Sequence, residues 1–201
     1  EAYRVCQRFQ TLMAEDLDFD RAFEATFTKN ASRRREIAIT EGEFGDVDLA
    51  KIDDATLIKA FKARMQILYL MLPLASPDSN EEQVLFFPQQ IKAIFERKTP
   101  PTPEEFPEYE QQLQRDATSF RTHLNQLASR YPRVAERVRK FKLELSNMPK
   151  PPASKIEPLT AYSKGRVLGP NEKYYQIGDY AVIREGTQMK IIGIRFFSRL
   201  F

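Results

Sequence analysis

Four cations, Arg130, Arg133, Arg137 and Lys140, recur at intervals of three and four residues. That spacing sets them on one flank of a helix, as a stripe able to hold an acidic partner, an anionic lipid surface or nucleic acid. Arg139 and Lys142 fall on the other flank. Three ordinary readings compete with docking. Cations near a helix C-terminus complement its dipole, long Arg and Lys stems cover the edge of an apolar seam, and the acidic half of the chain could itself be the partner. The charge is divided unevenly. Residues 1–110 carry 14 basic and 21 acidic side chains, net −7, and residues 111–201 carry 17 and 7, net +10, which leaves +3 for the chain. So small a total, with no zinc ligands and no aromatic–basic RNA motif, argues against nucleic acid.

The other chemistry-bearing residues are few. One cysteine, Cys6, excludes an internal disulfide framework, and one histidine, His123, excludes a multi-histidine metal site. A cysteine on the apolar face of a helix reads as packing rather than as a nucleophile. His123 extends the basic stripe upward and reads as a boundary residue of the same helix. A di-iron bundle needs Glu-x-x-His, but Phe120 stands three residues before His123. Asp16, Asp18 and Asp20 resemble the start of a calcium loop. Arg21 replaces its glycine, however, and Phe27 its closing glutamate. Glu41, Glu43, Asp46, Asp48, Asp53 and Asp54 form an acidic stretch without ligand spacing, read as a solvated loop. Glycine-rich phosphate loops, dinucleotide fingerprints and a Gly-x-Ser-x-Gly elbow are all missing. No cofactor and no metal are expected. Asn30-Ala31-Ser32 is a glycosylation triplet of a kind that arises often by chance.

Punctuation shows which elements would position these groups. Glycine is absent from Asp46 through Lys164, and prolines cluster at 100–107 and 149–158. Helices joined by proline-containing loops follow from that. Tyr3, Cys6, Phe9 and Met13 repeat at helical spacing. Phe19, Phe23 and Phe27 form a second stripe with Asp18 as its N-cap. Residues 37–54 read as mostly loop, with room for a short strand at Ile37–Ile39. A strong helix runs from a cap at Asp53 or Asp54 through Leu57, Phe61, Met65 and Leu72 to Pro73 and Pro77. Pro88 opens a short one carrying Ile91, Ile94 and Phe95.

The clearest pattern is a heptad seam: Leu113, Ala117, Phe120, Leu124, Leu127, Tyr131, Val134, Val138, Phe141 and Leu145 alternate by four and three. Thr102-Pro103-Glu104-Glu105 reads as its capping box, with Pro103 at the first helical position. Because the seam crosses Pro132 in register, a single kinked helix is preferred over two helices broken at Ser129–Tyr131. Such a seam ordinarily faces the protein's own interior. Further on, Tyr174–Ile183 and Met189–Ile194 flank Glu185-Gly186 as a hairpin, with Gly165–Gly169 available as a third strand. The stretch from Asp179 to Phe196 resembles the closing hairpin of cystatin-like and nuclear-transport-factor-like cones. Their long curved sheet has no counterpart in the helical middle, and no family is assigned.

The expected fold is therefore α+β: a mostly helical bundle with a long heptad-patterned helix and a small C-terminal antiparallel hairpin or three-stranded meander. Residues 1–98 form a multi-helix segment, 99–148 the long helix packed on it, 149–158 a proline-rich linker, and 159–201 a β element docked on the helices. The longest apolar run, Ile67–Ala75, contains Pro73 and falls far short of the ~20 residues of a spanning helix. A start at Glu1 rather than Met tilts the expectation towards export. Function is expected to be non-enzymatic: an interaction or scaffold protein whose partner, or second copy, meets the heptad helix or the apolar tail Phe196–Phe201. The alternative is a small-ligand binder or hydrolase with Tyr174, Tyr175 or Tyr180 lining a pocket between helices and hairpin.

Overall fold

In the computed structural model, residues 1–40, 42–71, 99–148 and 174–194 are described. The chain is mostly helical with a small C-terminal antiparallel sheet, an α+β arrangement. Among the described residues the helices are α1 (Ala2–Asp16), α2 (Phe19–Thr26), α3 (Ala31–Thr40), α4 (Asp54–Met71), α5 (Phe106–Arg130) and α6 (Pro132–Ser146). The strands are β1 (Tyr174–Ile177), β2 (Tyr180–Glu185) and β3 (Gln188–Ile194). The contacts divide the chain into one unit of residues 1–40 with 142–201 and a second of residues 41–141. No helix among the described residues is long and apolar enough to cross a membrane. The short helix after Pro88, the strand at Gly165–Gly169, the proline-rich linker and the apolar tail lie outside the described residues.

In the first unit, α1 buries Cys6, Phe9 and Met13 on one stripe. It ends at Leu17, a leucine at φ 60 whose N–H donates to the Met13 carbonyl. Asp18 then caps α2 by accepting from the Arg21 N–H at 3.1 Å, as its position predicts. The phenylalanine stripe closes the core: the Phe23 and Phe27 rings stack at 4.5 Å. Phe27 itself is extended and pairs in parallel with Ile191, while the Thr28 N–H donates to the Ile191 carbonyl at 2.8 Å. The exit of α2 thereby covers the outer edge of β3, which an unpaired strand would leave open to other chains. The Thr28 hydroxyl hydrogen-bonds the Glu185 carboxylate on the neighbouring strand. At the far end of α6, Lys142 reaches the Glu15 carbonyl at 3.4 Å, and the Tyr3 hydroxyl donates to the Met148 carbonyl at 3.2 Å. These bonds hold that segment along α1.

Two expectations change here. Ile37–Ile39 is helical, not a strand. The Asn30 side chain caps α3 by accepting from the Arg33 N–H at 3.1 Å, and Ile37 packs on the sheet with Ala181, Ile183 and Ile192. This capping role is also a structural reason for asparagine in the glycosylation triplet. The run Tyr174–Ile183 is two strands rather than one. Gly178-Asp179 and Gly186-Thr187 each form a two-residue turn with positive φ only at the glycine, the signature of a type II′ hairpin. The sheet is thus the three-stranded meander β1-β2-β3, and its third strand comes from within the tyrosine-rich run. A bulge opposite Ala181 and Val182 leaves Ile192 without a cross-strand partner. Both faces of this end are buried, which explains an unalternating apolar sequence.

In the second unit, the Asp53 carboxylate caps α4 by accepting from the Thr56 N–H at 2.9 Å. The capping box at Thr102 and Glu105 also forms. The Thr102 N–H donates to Glu105 Oε2 at 3.1 Å, and the Glu105 N–H to Thr102 Oγ1 at 3.4 Å. It closes a turn that precedes α5 rather than its first helical turn. Pro107, not Pro103, is the proline inside the helix start, and with no N–H it cannot continue the ladder back into that turn.

The single kinked helix resolves into two. Tyr131 is extended (φ −122, ψ 111) between α5 and α6. A residue before proline is driven out of the helical region by the ring, and here that local clash outweighs the seam's register. The seam nevertheless keeps its inward face on both sides: Leu113, Ala117, Phe120, Leu124 and Leu127 are buried on α5, and Val134, Phe141 and Leu145 on α6. Tyr131 is the rung that turns outward.

Candidate functional site

The basic stripe sits where α5 gives way to α6. Arg130 is the last residue of α5, and Arg133, Arg137 and Lys140 follow at i, i+4 and i+7 on α6. Burial of Val134 and Phe141 fixes the rotation of α6, so the stripe lies along the edge of the apolar seam. Arg130, Arg133 and Lys140 are exposed and Arg137 is half-buried. On the outer face of α6 stand Arg139 and Leu143, the latter 56% exposed, and Tyr131 at the break is 44% exposed. Glu136 and Glu144 are exposed on the same helix, so the surface is basic without being uniformly so. Tyrosine and arginine are among the residue types that interfaces favour.

The residues considered for other chemistry are placed differently. Cys6 is fully buried in α1, and burial pushes its thiol up to about 12, so it stays protonated and unreactive. His123 is half-buried on α5 and already engaged. Tyr180, considered above as a pocket wall, is a core residue, its ring edge-on to Phe9 at 5.8 Å. Tyr175 is half-buried on β1. Asp48 caps a 3-10 turn at Leu49–Lys51, Asp53 caps α4, and Asp18 caps α2. Three of the carboxylates weighed as cation ligands thus serve backbone N–H groups. Among the described residues no group of three or more His, Cys, Asp or Glu side chains is arranged to hold a metal ion.

Sequence reasoning passed over the polar groups buried between α4 and α5. The Gln66 amide reaches the Ala117 carbonyl at 3.5 Å, and the Gln112 amide donates to Asp116 Oδ1 at 2.9 Å. Glu110 is only 7% exposed, and its Oε1 has no hydrogen-bond partner among the described residues. Both Glu110 and Asp116 neighbour seam positions, and a helical wheel centred slightly off Leu113 and Ala117 would have marked them as inward. Burial raises the Glu110 carboxyl above the usual carboxylate range. Lys59 opposes that shift, and Asp53 reinforces it. Ionised Glu110 therefore carries a penalty in the fold that is absent below the ordinary pKa of 4.5 and complete above the raised value. Stability should fall as pH rises through that window. Glu110→Gln should flatten this dependence and stabilise the protein at neutral pH. Urea midpoints measured from about pH 4 to pH 8 would check it, and an unchanged slope in the variant would refute it.

The chain matches no protein-family model, no curated protein and no solved structure. What can be said about its role rests on its own residues.

Proposed function

We propose that this chain is a non-enzymatic interaction protein that docks an acidic partner at the α5–α6 junction and along α6, through Arg130, Arg133, Arg137 and Lys140. The observation that supports the reading is a predominantly basic stripe held at a fixed rotation beside two large, exposed side chains, Tyr131 and Leu143. Cations alone are commonly just solvated, and exposed ion pairs add little stability. Cations bordering exposed Tyr and Leu provide both steering and anchoring area. An anionic membrane fits less well, because the apolar face of α6 that would enter the lipid is buried at Val134, Phe141 and Leu145.

The test is a titration of the intact chain into fluorescein-labelled poly-glutamate, followed by anisotropy, with duplex DNA and anionic vesicles as parallel arms. Saturable binding to poly-glutamate is expected. Reversing two exposed charges, Arg133→Glu with Lys140→Glu, should weaken it about tenfold or more, whereas Arg8→Glu on α1 should leave it unchanged. Equal loss in both variants, or preference for DNA or vesicles over poly-glutamate, would overturn the reading.

A further inference from the structure

The packing that sets out the basic stripe also collects carboxylates at the opposite end of α4 and α5. These two helices run in the same direction: the charge of Lys59 on α4 acts on Glu110 on α5, and seven residues further along each, Gln66 meets Ala117. Both helices therefore begin at one end. The rings of Phe44 and Phe106 meet there at 5.4 Å, and the charge of Lys51 reaches Glu104. Asp46, Asp48, Asp53 and Asp54 from the approach to α4 are thereby joined by Glu104, Glu105 and Glu108 from the start of α5, and all seven are exposed. Lys51 stands among them, 3.5 Å from Asp48. The stripe lies at the other end: Arg130 closes α5, and the ring of Phe141 on α6 is 6.0 Å from that of Tyr69 near the end of α4. With 25 residues in α5, Arg130 lies about 37 Å from the start of that helix. Caps at Asp48, Asp53 and Glu105 and the dipoles of α4 and α5 account for part of this set, and all seven carboxylates nevertheless stay exposed on one surface.

We infer that the acidic partner of the stripe is a second copy of this chain, docked through this carboxylate-rich end; the inference rests on the docking reading above. One chain carries both halves of a complementary pair, on surfaces too far apart to satisfy each other within the α4–α5 pair. Two copies laid antiparallel bring both acid–base contacts together at once. The second contact then forms at high effective concentration, and the assembly closes at a dimer. Lys51 and the carboxylates Glu136 and Glu144 set the register by penalising misaligned pairings.

Sedimentation of the intact chain in low salt (about 20 mM) and high salt (about 500 mM) reads this directly, since screening lengths fall from tens of ångströms to a few. A dimer at low salt that reverts to monomer at high salt is expected. Arg133→Glu with Lys140→Glu should be monomeric at both, and so should Asp46→Lys with Asp48→Lys and Glu108→Lys. Mixing the two variants should restore a mass of two chains, because each then offers only the sign that the other lacks. A wild-type chain that is monomeric at low salt, a dimer that survives high salt, or a mixture that stays monomeric would each overturn the inference. If the monomeric chain still binds poly-glutamate through the stripe, self-docking alone has failed; if it binds nothing, the docking reading fails with it.

Discussion

Phe9→Ala is expected to destabilise the protein by about 3–5 kcal/mol, the range for emptying a buried aromatic site. Phe9 is fully buried on α1 and its ring meets three others edge-on: Phe19 at 5.8 Å, Phe27 at 5.4 Å and Tyr180 at 5.8 Å. It therefore joins α1, the α2 stripe and β2 in one cluster. Each aromatic pair adds roughly 0.5–1.5 kcal/mol beyond the area it buries. The cavity would close poorly, because its walls are rings fixed by their own contacts, with Phe23 and Phe27 stacked against each other. At the lower end of the usual ~5–15 kcal/mol, a loss of that size would leave the variant close to unfolding at room temperature. Urea denaturation followed by circular dichroism measures this, with Phe9→Leu expected to recover a good part of the loss. A cost below about 1 kcal/mol for Phe9→Ala would mean that these rings do not form the core of the first unit.

The second large effect is expected at Phe106→Ala, again about 3–5 kcal/mol, in the other unit. Phe106 is fully buried at the start of α5, against Phe44 at 5.4 Å and Tyr109 at 5.8 Å. The guanidinium of Arg64 lies 5.7 Å over the Phe44 ring, so the apolar plug has a charged lid. This cluster holds the approach to α4 against the start of α5. Its loss should weaken the gathering of carboxylates at that end as well as the fold. The matched control is Tyr131→Ala, at the exposed rung of the heptad seam, where a change within about 0.5 kcal/mol is expected. If the two substitutions cost the same, Phe106 is not a core residue of the second unit.

Every property carried by short-range periodicity could be read from the residues alone. The helical spans of α1, α2, α4 and α5 follow from apolar recurrence at three and four. The caps at Asp18 and Asp53 and the Thr102–Glu105 box follow from side chains that reach N–H groups two or three residues ahead. The flank shared by Arg133, Arg137 and Lys140 was legible for the same reason, since helix geometry fixes which residues are neighbours. The break at Tyr131 also had a local cause, the proline that follows it, but the uninterrupted seam pointed the other way.

Tertiary contact decided the rest. Ile37–Ile39 is β-branched enough to be a strand, and only the Asn30 cap and the packing of Ile37 on a distant sheet make it helical. Phe27 and Thr28 join the edge of β3 through partners at the far end of the chain, a pairing no local pattern encodes. The same holds for the acidic end: Asp53 and Glu110 are far apart in sequence, and the charge of one reaches the other because α4 and α5 run parallel. Propensity and capping act over a few residues, so they choose elements. Which elements meet, and therefore where charge accumulates, depends on how their apolar faces are buried together.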